Sequence, residues 1–177
     1  MKVIHHVRGM QDFSEALRKA GKTIAFVPTM GYLHEGHLSL MRLGKKKADV
    51  LLVSIFVNPL QFGEGEDYED YPRDWEKDKN MIESVGADCI FIPDVHEMYP
   101  ERFQTSIKVK DVTQNLCGLS RPVHFDGVAT VVAKLFNCTK PHFAVFGEKD
   151  FQQLMVIKRM ARDLNFAVEV VVRRRPA

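Results

Sequence analysis

Apolar positions in MQDFSEALRKAG, residues 10–21, fall at helical spacing: Phe13, Ala16, Leu17 and Ala20 share one face, and Gly21 is a stop signal. The next stretch, IAFVP at 24–28, is continuously apolar and reads as a buried strand. GHLSLMRLGKKKAD returns to helical spacing and ends on Lys45, Lys46 and Lys47, cations that suit the negative end of a helix dipole. VLLVSIFVN, from Val50, is apolar on both faces, as a central parallel strand should be. PRDWEKDKNMIESVGAD then predicts a helix, CIFIP from Cys89 a strand, and TSIKV at 105–109 a short strand. FDGVATVVAKLFNCT at 125–139 predicts a helix, FAVF at 143–146 a strand, DFQQLMVIKRMARDL a helix, and VEVVV at 168–172 a last strand. Strand and helix alternate, so the predicted class is α/β with a mostly parallel sheet flanked by helices.

A length of 177 residues suits one domain, and no internal repeat or Ser/Pro/Gly-rich linker divides it. GEGEDYEDYP at 63–72 is acidic and glycine-containing, and reads as a surface loop. The 25 Lys and Arg against 23 Asp and Glu give no basic face, so nucleic acid is not an expected partner. MKVIHHVRGMQDF lacks the apolar stretch of a signal peptide, and the longest apolar run, at 50–57, is too short to span a bilayer. Cys89, Cys117 and Cys138 are odd in number and widely spaced, which fits reduced packing residues. A cytoplasmic protein with no membrane partner is expected.

The residues with chemical potential cluster at strand ends, where open parallel sheets bind ligands. After IAFVP comes TMGYLHEGH, after VSIFV comes NPLQF, and after FAVF comes GEKDFQQ. In the first, Gly31 allows close backbone approach, Gly36 eases the turn into a helix, and the N–H groups of that helix offer a site for phosphate oxygens. His34 and His37, three apart, can face one ligand together and donate to charge developing on phosphate. Two other readings stay open: histidines that are merely surface or core residues, and metal ligands. HEGHL fails the HExxH zinc pattern at Leu38, so no metal site is expected. His5 and His6 are expected to be structural. In GEKDFQQ, Gly147 permits close approach, Lys149 is a mobile charge for phosphate and Asp150 an acceptor for ribose hydroxyls, with helix capping as the competing reading. Gln61 and Gln153 offer uncharged donor and acceptor pairs for a small ligand with hydroxyls and a carboxylate.

PTMGYLHEGHLSL, SIFVNPLQF, YPR, RPVHFDGVATVVAKLFN and FGEKDFQQL, in this order and spacing, closely resemble the pantothenate synthetase family over residues 1–172. The resemblance implies a Rossmann-like fold of the HxGH nucleotidyltransferase superfamily. It also implies ATP- and Mg2+-dependent condensation of pantoate with β-alanine through an enzyme-bound pantoyl adenylate. Carried over by residue, Met30, Gly31, Tyr32, Leu33, His34, Glu35, Gly36 and His37 would line the ATP site, with His37 the assigned proton donor. Gly147, Glu148, Lys149 and Asp150 would complete it, His34, His37 and Lys149 acting in catalysis. Gln61 and Gln153 would hold pantoate, and Gln61 would also reach β-alanine. The resemblance further implies a homodimer.

Two departures temper the resemblance. Val123 stands where the family pattern has glycine, in a loop that carries Arg121, His124 and Asp126 near the active site. The family also continues past VEVVV with a PTVRE-like segment, an MSSR-type loop and a smaller C-terminal domain, where this chain has RRRPA and ends. The expectation is therefore an N-terminal domain with reduced or no turnover. A nucleotidyltransferase with a phosphate-bearing acceptor, and a nucleotide-binding module without turnover, are the competing functions.

Overall fold

The computed structural model describes residues 1–63, 68–110 and 122–174, without the side chains of Pro122 and Val123. Cys117, Arg121, part of the acidic loop and the last residues of the RRRPA tail fall outside the described residues. Six parallel strands form one sheet: β1 (Lys2–Ile4), β2 (Ile24–Thr29), β3 (Val50–Ile55), β4 (Cys89–Phe91), β5 (Phe143–Gly147) and β6 (Glu169–Arg173), in the spatial order β1-β4-β3-β2-β5-β6. Among the described residues the α-helices are α1 (Val7–Lys19), α2 (Glu35–Lys47), α3 (Trp75–Ser84), α4 (Val95–Met98), α5 (Pro122–Thr139) and α6 (Phe151–Asp163).

Strand alternation explains why the central runs are apolar throughout. Ile24 and Phe26 of β2, Leu52 of β3, Cys89 and Phe91 of β4, and Ala144 and Phe146 of β5 join a core beneath α1, α5 and α6. Their neighbours Ala25, Val27, Leu51, Val53, Ile90 and Val145 point the other way, into a core closed by Leu38 and Met41 of α2 and Ile82 of α3. With both faces covered, these strands carry few polar side chains; on β2, Thr29 spends its hydroxyl on the Ser54 carbonyl at 2.8 Å, whereas the buried Ser54 hydroxyl on β3 has no partner among the described residues. The buried thiols of Cys89 and Cys138 are pushed up to about 12 and about 11, so both are inert packing residues at neutral pH. Among the described residues no helix is long and apolar enough to cross a membrane.

The expected strand at TSIKV is not formed. Its alternation instead lays an extended segment on α5: Val109 is buried in the larger core, and the Ile107 N–H donates to Thr130 Oγ1 at 2.9 Å. PVHFDGV is not a loop either, since α5 starts at Pro122 and carries His124 and Asp126 in its first turns. Among the described residues four short elements escaped the hydrophobic pattern: β1, α4 and 3-10 turns at Pro59–Gln61 and Glu148–Asp150. His5 and His6 tie the N-terminus down, through Nδ1 contacts of 3.0 Å to the Ile92 carbonyl and 3.1 Å to the Glu97 carboxylate.

Because β2 is flanked by β3 on one side and β5 on the other, the chain leaves the sheet in opposite directions around its C-terminal end. Such a switch point opens a crevice at the strand ends. The loops after β2, β3 and β5 all meet there.

Candidate active site

The chain leaving β2 turns sharply through Gly31, at φ 84°, and Tyr32, at φ 51°. Successive N–H groups of this turn are taken by side chains: Gly31 donates to Thr29 Oγ1 at 3.2 Å, Tyr32 to Asp78 Oδ2 at 2.8 Å, and Leu33 to Asp78 Oδ1 at 2.7 Å. A Cβ on Gly31 would lie 3.0 Å from Asp78 Oδ2 and 3.2 Å from Ile55 Cγ2. The glycine therefore makes room for the protein's own carboxylate as well as supplying a positive φ, a different reason from the expected close approach of a ligand.

At the start of α2 the two histidines cap each other. The Gly36 N–H donates to His34 Nδ1 at 3.0 Å, and the His34 N–H donates to His37 Nδ1 at 3.3 Å. One helix amide expected to be open to phosphate, that of Gly36, is thus occupied. A backbone N–H can only donate, so each Nδ1 is an acceptor, and in the neutral ring the proton sits on Nε2. The rings lie 4.2 Å apart, tilted by 48°. Burial, then the adjacent His34, lowers the His37 pKa from the usual 6.5 to about 4. Both features make His37 a neutral Nε2–H donor at physiological pH.

The depressed value fixes the sign of a pH effect. Stability that depends on keeping His37 neutral is complete above the ordinary histidine value and is lost as pH falls through about 4. The His37 ring resonance is expected to titrate with a midpoint near 4 by NMR, and a midpoint at the ordinary value would mean the ring is solvated.

After β3, Asn58 organises the 3-10 turn. It is 1% exposed, and its Nδ2 donates to Gln61 Oε1 and to the Gly127 carbonyl, both at 3.1 Å. Its Oδ1 accepts from the Tyr99 hydroxyl at 2.7 Å and from the Leu60 N–H at 3.3 Å. The Gly127 carbonyl can only accept and the Leu60 N–H only donate, which fixes the Asn58 amide and, through it, that of Gln61. Gln61 Nε2 is consequently turned toward Met30, 3.1 Å from the thioether sulfur. His124 latches the same turn from α5, its Nδ1 donating to the Gln61 carbonyl at 2.9 Å.

After β5, Glu148–Asp150 form a 3-10 turn leading into α6, and Glu148, Lys149 and Asp150 are exposed. Met30, His37, Asn58, Gln61, Asp150 and Gln153 surround one cavity of about 190 Å³, whose apolar wall comes largely from α5. His34 joins this group through its ring contact, and the charge of Lys149 is felt at His37. Other expected site residues do not face the cavity. Leu33 is buried in the core under α2, Tyr32 is 54% exposed, and Glu35 pairs with Arg42 on the surface.

The Pantoate-beta-alanine ligase family profile matches residues 2–175. The chain belongs to the pantoate-beta-alanine ligase family. Pantothenate synthetase from Syntrophus aciditrophicus is 64% identical over 171 residues, which are 97% of this chain and 60% of that protein. The Caldicellulosiruptor bescii pantothenate synthetase is 58% identical, again over 97% of this chain and 61% of the relative. The chain therefore spans about three-fifths of the length of these curated relatives. Crystal structures agree: pantothenate synthetase from Thermus thermophilus superposes with TM-score 0.92 at 48% identity, covering 98% of this chain and 62% of that one. Pantoate-beta-alanine ligase from Francisella tularensis, complexed with beta-gamma ATP and beta-alanine, superposes with TM-score 0.94 at 38% identity, covering all of this chain and 68% of that one.

Sequence reasoning within this ligase family missed Asn58, Asp78 and Tyr99. NPLQF stands out as a strand-end segment through Gln61, and nothing in it marks the Asn58 side chain as buried. Asp78 looks like any acidic residue in the first turn of a helix, although it is 2% exposed. Nothing in the string marks Tyr99 as buried against Asn58.

Proposed function

We propose that this chain is the nucleotide- and pantoate-binding part of an enzyme that joins pantoate to β-alanine at the expense of ATP. The observation that carries the proposal is the reciprocal histidine cap beside the Gln61 and Gln153 cavity. It turns the Nε2 edges of both rings toward a ligand, suited to phosphate oxygens, next to amides suited to a hydroxy acid.

In the first step a pantoate carboxylate oxygen attacks the α-phosphorus of ATP, the bond to pyrophosphate breaks, and pantoyl adenylate forms. In the second the β-alanine amine attacks the acyl carbon, the bond to AMP breaks, and an amine proton is released. Such chemistry depends on positioning and charge stabilisation. From the stretch Met30–His37, Met30 and the two histidines face the nucleotide side, where His34 and His37 donate to phosphates. Gly147, Glu148, Lys149 and Asp150 complete it, with Lys149 as a point charge on phosphate and Asp150 as acceptor for ribose hydroxyls. Gln61 and Gln153 hold pantoate, and Gln61 also reaches β-alanine.

Mg2+ fits as an ion brought in on the nucleotide. Among the described residues no group of three or more His, Cys, Asp or Glu could hold a metal, which fits an ion that would be held mainly by phosphate oxygens and water. Bound there, it would supply charge neutralisation for the pyrophosphate.

The reading includes a division of labour. The matched residues make up about three-fifths of the length of the curated relatives, and by this reading they bind the substrates and by themselves turn over slowly or not at all. It works in the cytoplasm as a homodimer. Sedimentation that finds only the 20.3 kDa monomer at every concentration would reject the dimer.

The decisive experiment is pantoate-dependent exchange of labelled pyrophosphate into ATP with Mg2+, for this chain and His37→Ala. Removing one transition-state donor is expected to cut the exchange rate by about 100- to 1000-fold. Exchange that ignores pantoate would refute the substrate assignment. Absence of exchange with ATP still bound would assign the whole chemical step to the residues of the longer proteins.

A further inference from the structure

Asp78 is a buried carboxylate with an unusual pair of partners. It lies on α3, yet both its oxygens are spent on consecutive backbone N–H groups of the turn after β2, at 2.8 and 2.7 Å. Among the described residues no cation pairs with it. A carboxylate kept 2% exposed without a counter-charge is held by the amides it accepts from, and it holds them in return.

The turn needs such a hold. Gly31 and Tyr32 are both left-handed, and a tyrosine with positive φ persists only where its surroundings impose it. Tyr32 gains little from its own side chain, which is 54% exposed. The direction in which the chain leaves this turn determines where His34 begins α2, and the mutual cap fixes His37 relative to His34.

We propose that Asp78 is a positioning residue for the nucleotide side of the active site. By clamping the Tyr32 and Leu33 amides it sets the left-handed turn, and through that backbone it aims the His34 and His37 pair. The inference rests on the assignment of these histidines to ATP. It separates the two halves of the site, because the turn at Pro59–Gln61 is organised by Asn58 and not by Asp78.

The test compares the unaltered chain with Asp78→Asn and with Ile82→Val, a core change one turn further along α3 that leaves the clamp intact. Amide exchange is followed by NMR, and Mg-ATP and pantoate are titrated separately by calorimetry. In Asp78→Asn one amide faces an NH2 in place of an oxygen. Exchange at Tyr32 and Leu33 is expected to accelerate about tenfold or more, and ATP affinity to fall about tenfold or more. Pantoate affinity is expected to stay within about threefold, and Ile82→Val to leave both affinities within that margin.

ATP affinity unchanged in Asp78→Asn, equal losses for both ligands, or an equal ATP loss in Ile82→Val would each overturn the positioning role. Should Asp78→Asn fail to fold, Gly31→Ala strains the same clamp, its Cβ 3.0 Å from Asp78 Oδ2, and the same pattern is expected. If the unaltered chain binds neither ligand, the functional reading fails. Protection of the Tyr32 and Leu33 amides then still decides whether Asp78 holds the turn.

Discussion

Gly127→Ala is expected to lower stability by about 1–3 kcal/mol and to weaken pantoate binding. α5 crosses the turn at Pro59–Gln61 so closely that a Cβ on Gly127 would overlap the Leu60 carbonyl oxygen and lie 2.7 Å from Gln61 N. Both neighbours are backbone, which cannot rotate aside as a side chain tip would. The helix must lift or the turn must shift, and either movement stretches the bond from Asn58 to the Gly127 carbonyl. Urea unfolding measures the first effect and calorimetric titration with pantoate the second. An unchanged midpoint would show that α5 and the turn sit further apart in solution.

Asn58→Ala is expected to be at least as damaging. It strips partners from the Gly127 carbonyl, Gln61 Oε1, the Tyr99 hydroxyl and the Leu60 N–H in a buried place. Each buried polar group left unsatisfied costs about 1–3 kcal/mol, and trapped water recovers part of that, so a net loss of about 3 kcal/mol is expected. The amide of Gln61 also becomes free to turn over. Pantoate affinity should fall with stability, while ATP affinity changes less, because the histidine cap shares no hydrogen bond with Asn58. Equal losses for the two ligands would contradict this separation of the halves.

These contrasts show what the sequence made legible. The four inner strands, β2 to β5, stand out because residues on both faces are buried, leaving unbroken apolar runs at Val50 and Phe143. β1 is three residues long and α4 is four, too short for any periodicity to register. TSIKV has strand alternation but covers a helix, because alternation reports one buried face and not what buries it. At the site, the strand-end rule drew attention to His34, His37, Gln61, Asp150 and Gln153, which the fold brings together. The meaning of Gly31 was only partly readable, since its neighbour Asp78 arrives from 47 positions further along the chain. The buried Asn58 and Asp78 and the half-buried Tyr99 carry no local mark, because their burial is decided by distant elements.

The placement of β1 at the sheet edge has a consequence for synthesis. Among the described residues β4 is its one partner strand, and Lys2 aligns with Cys89, so β1 cannot dock until the residues around Cys89 have been made. β2 and β3 lie close in sequence and can pair earlier, giving a growing sheet whose edge awaits a strand already synthesised. A bulky N-terminal fusion would therefore burden a late docking event and not the first one.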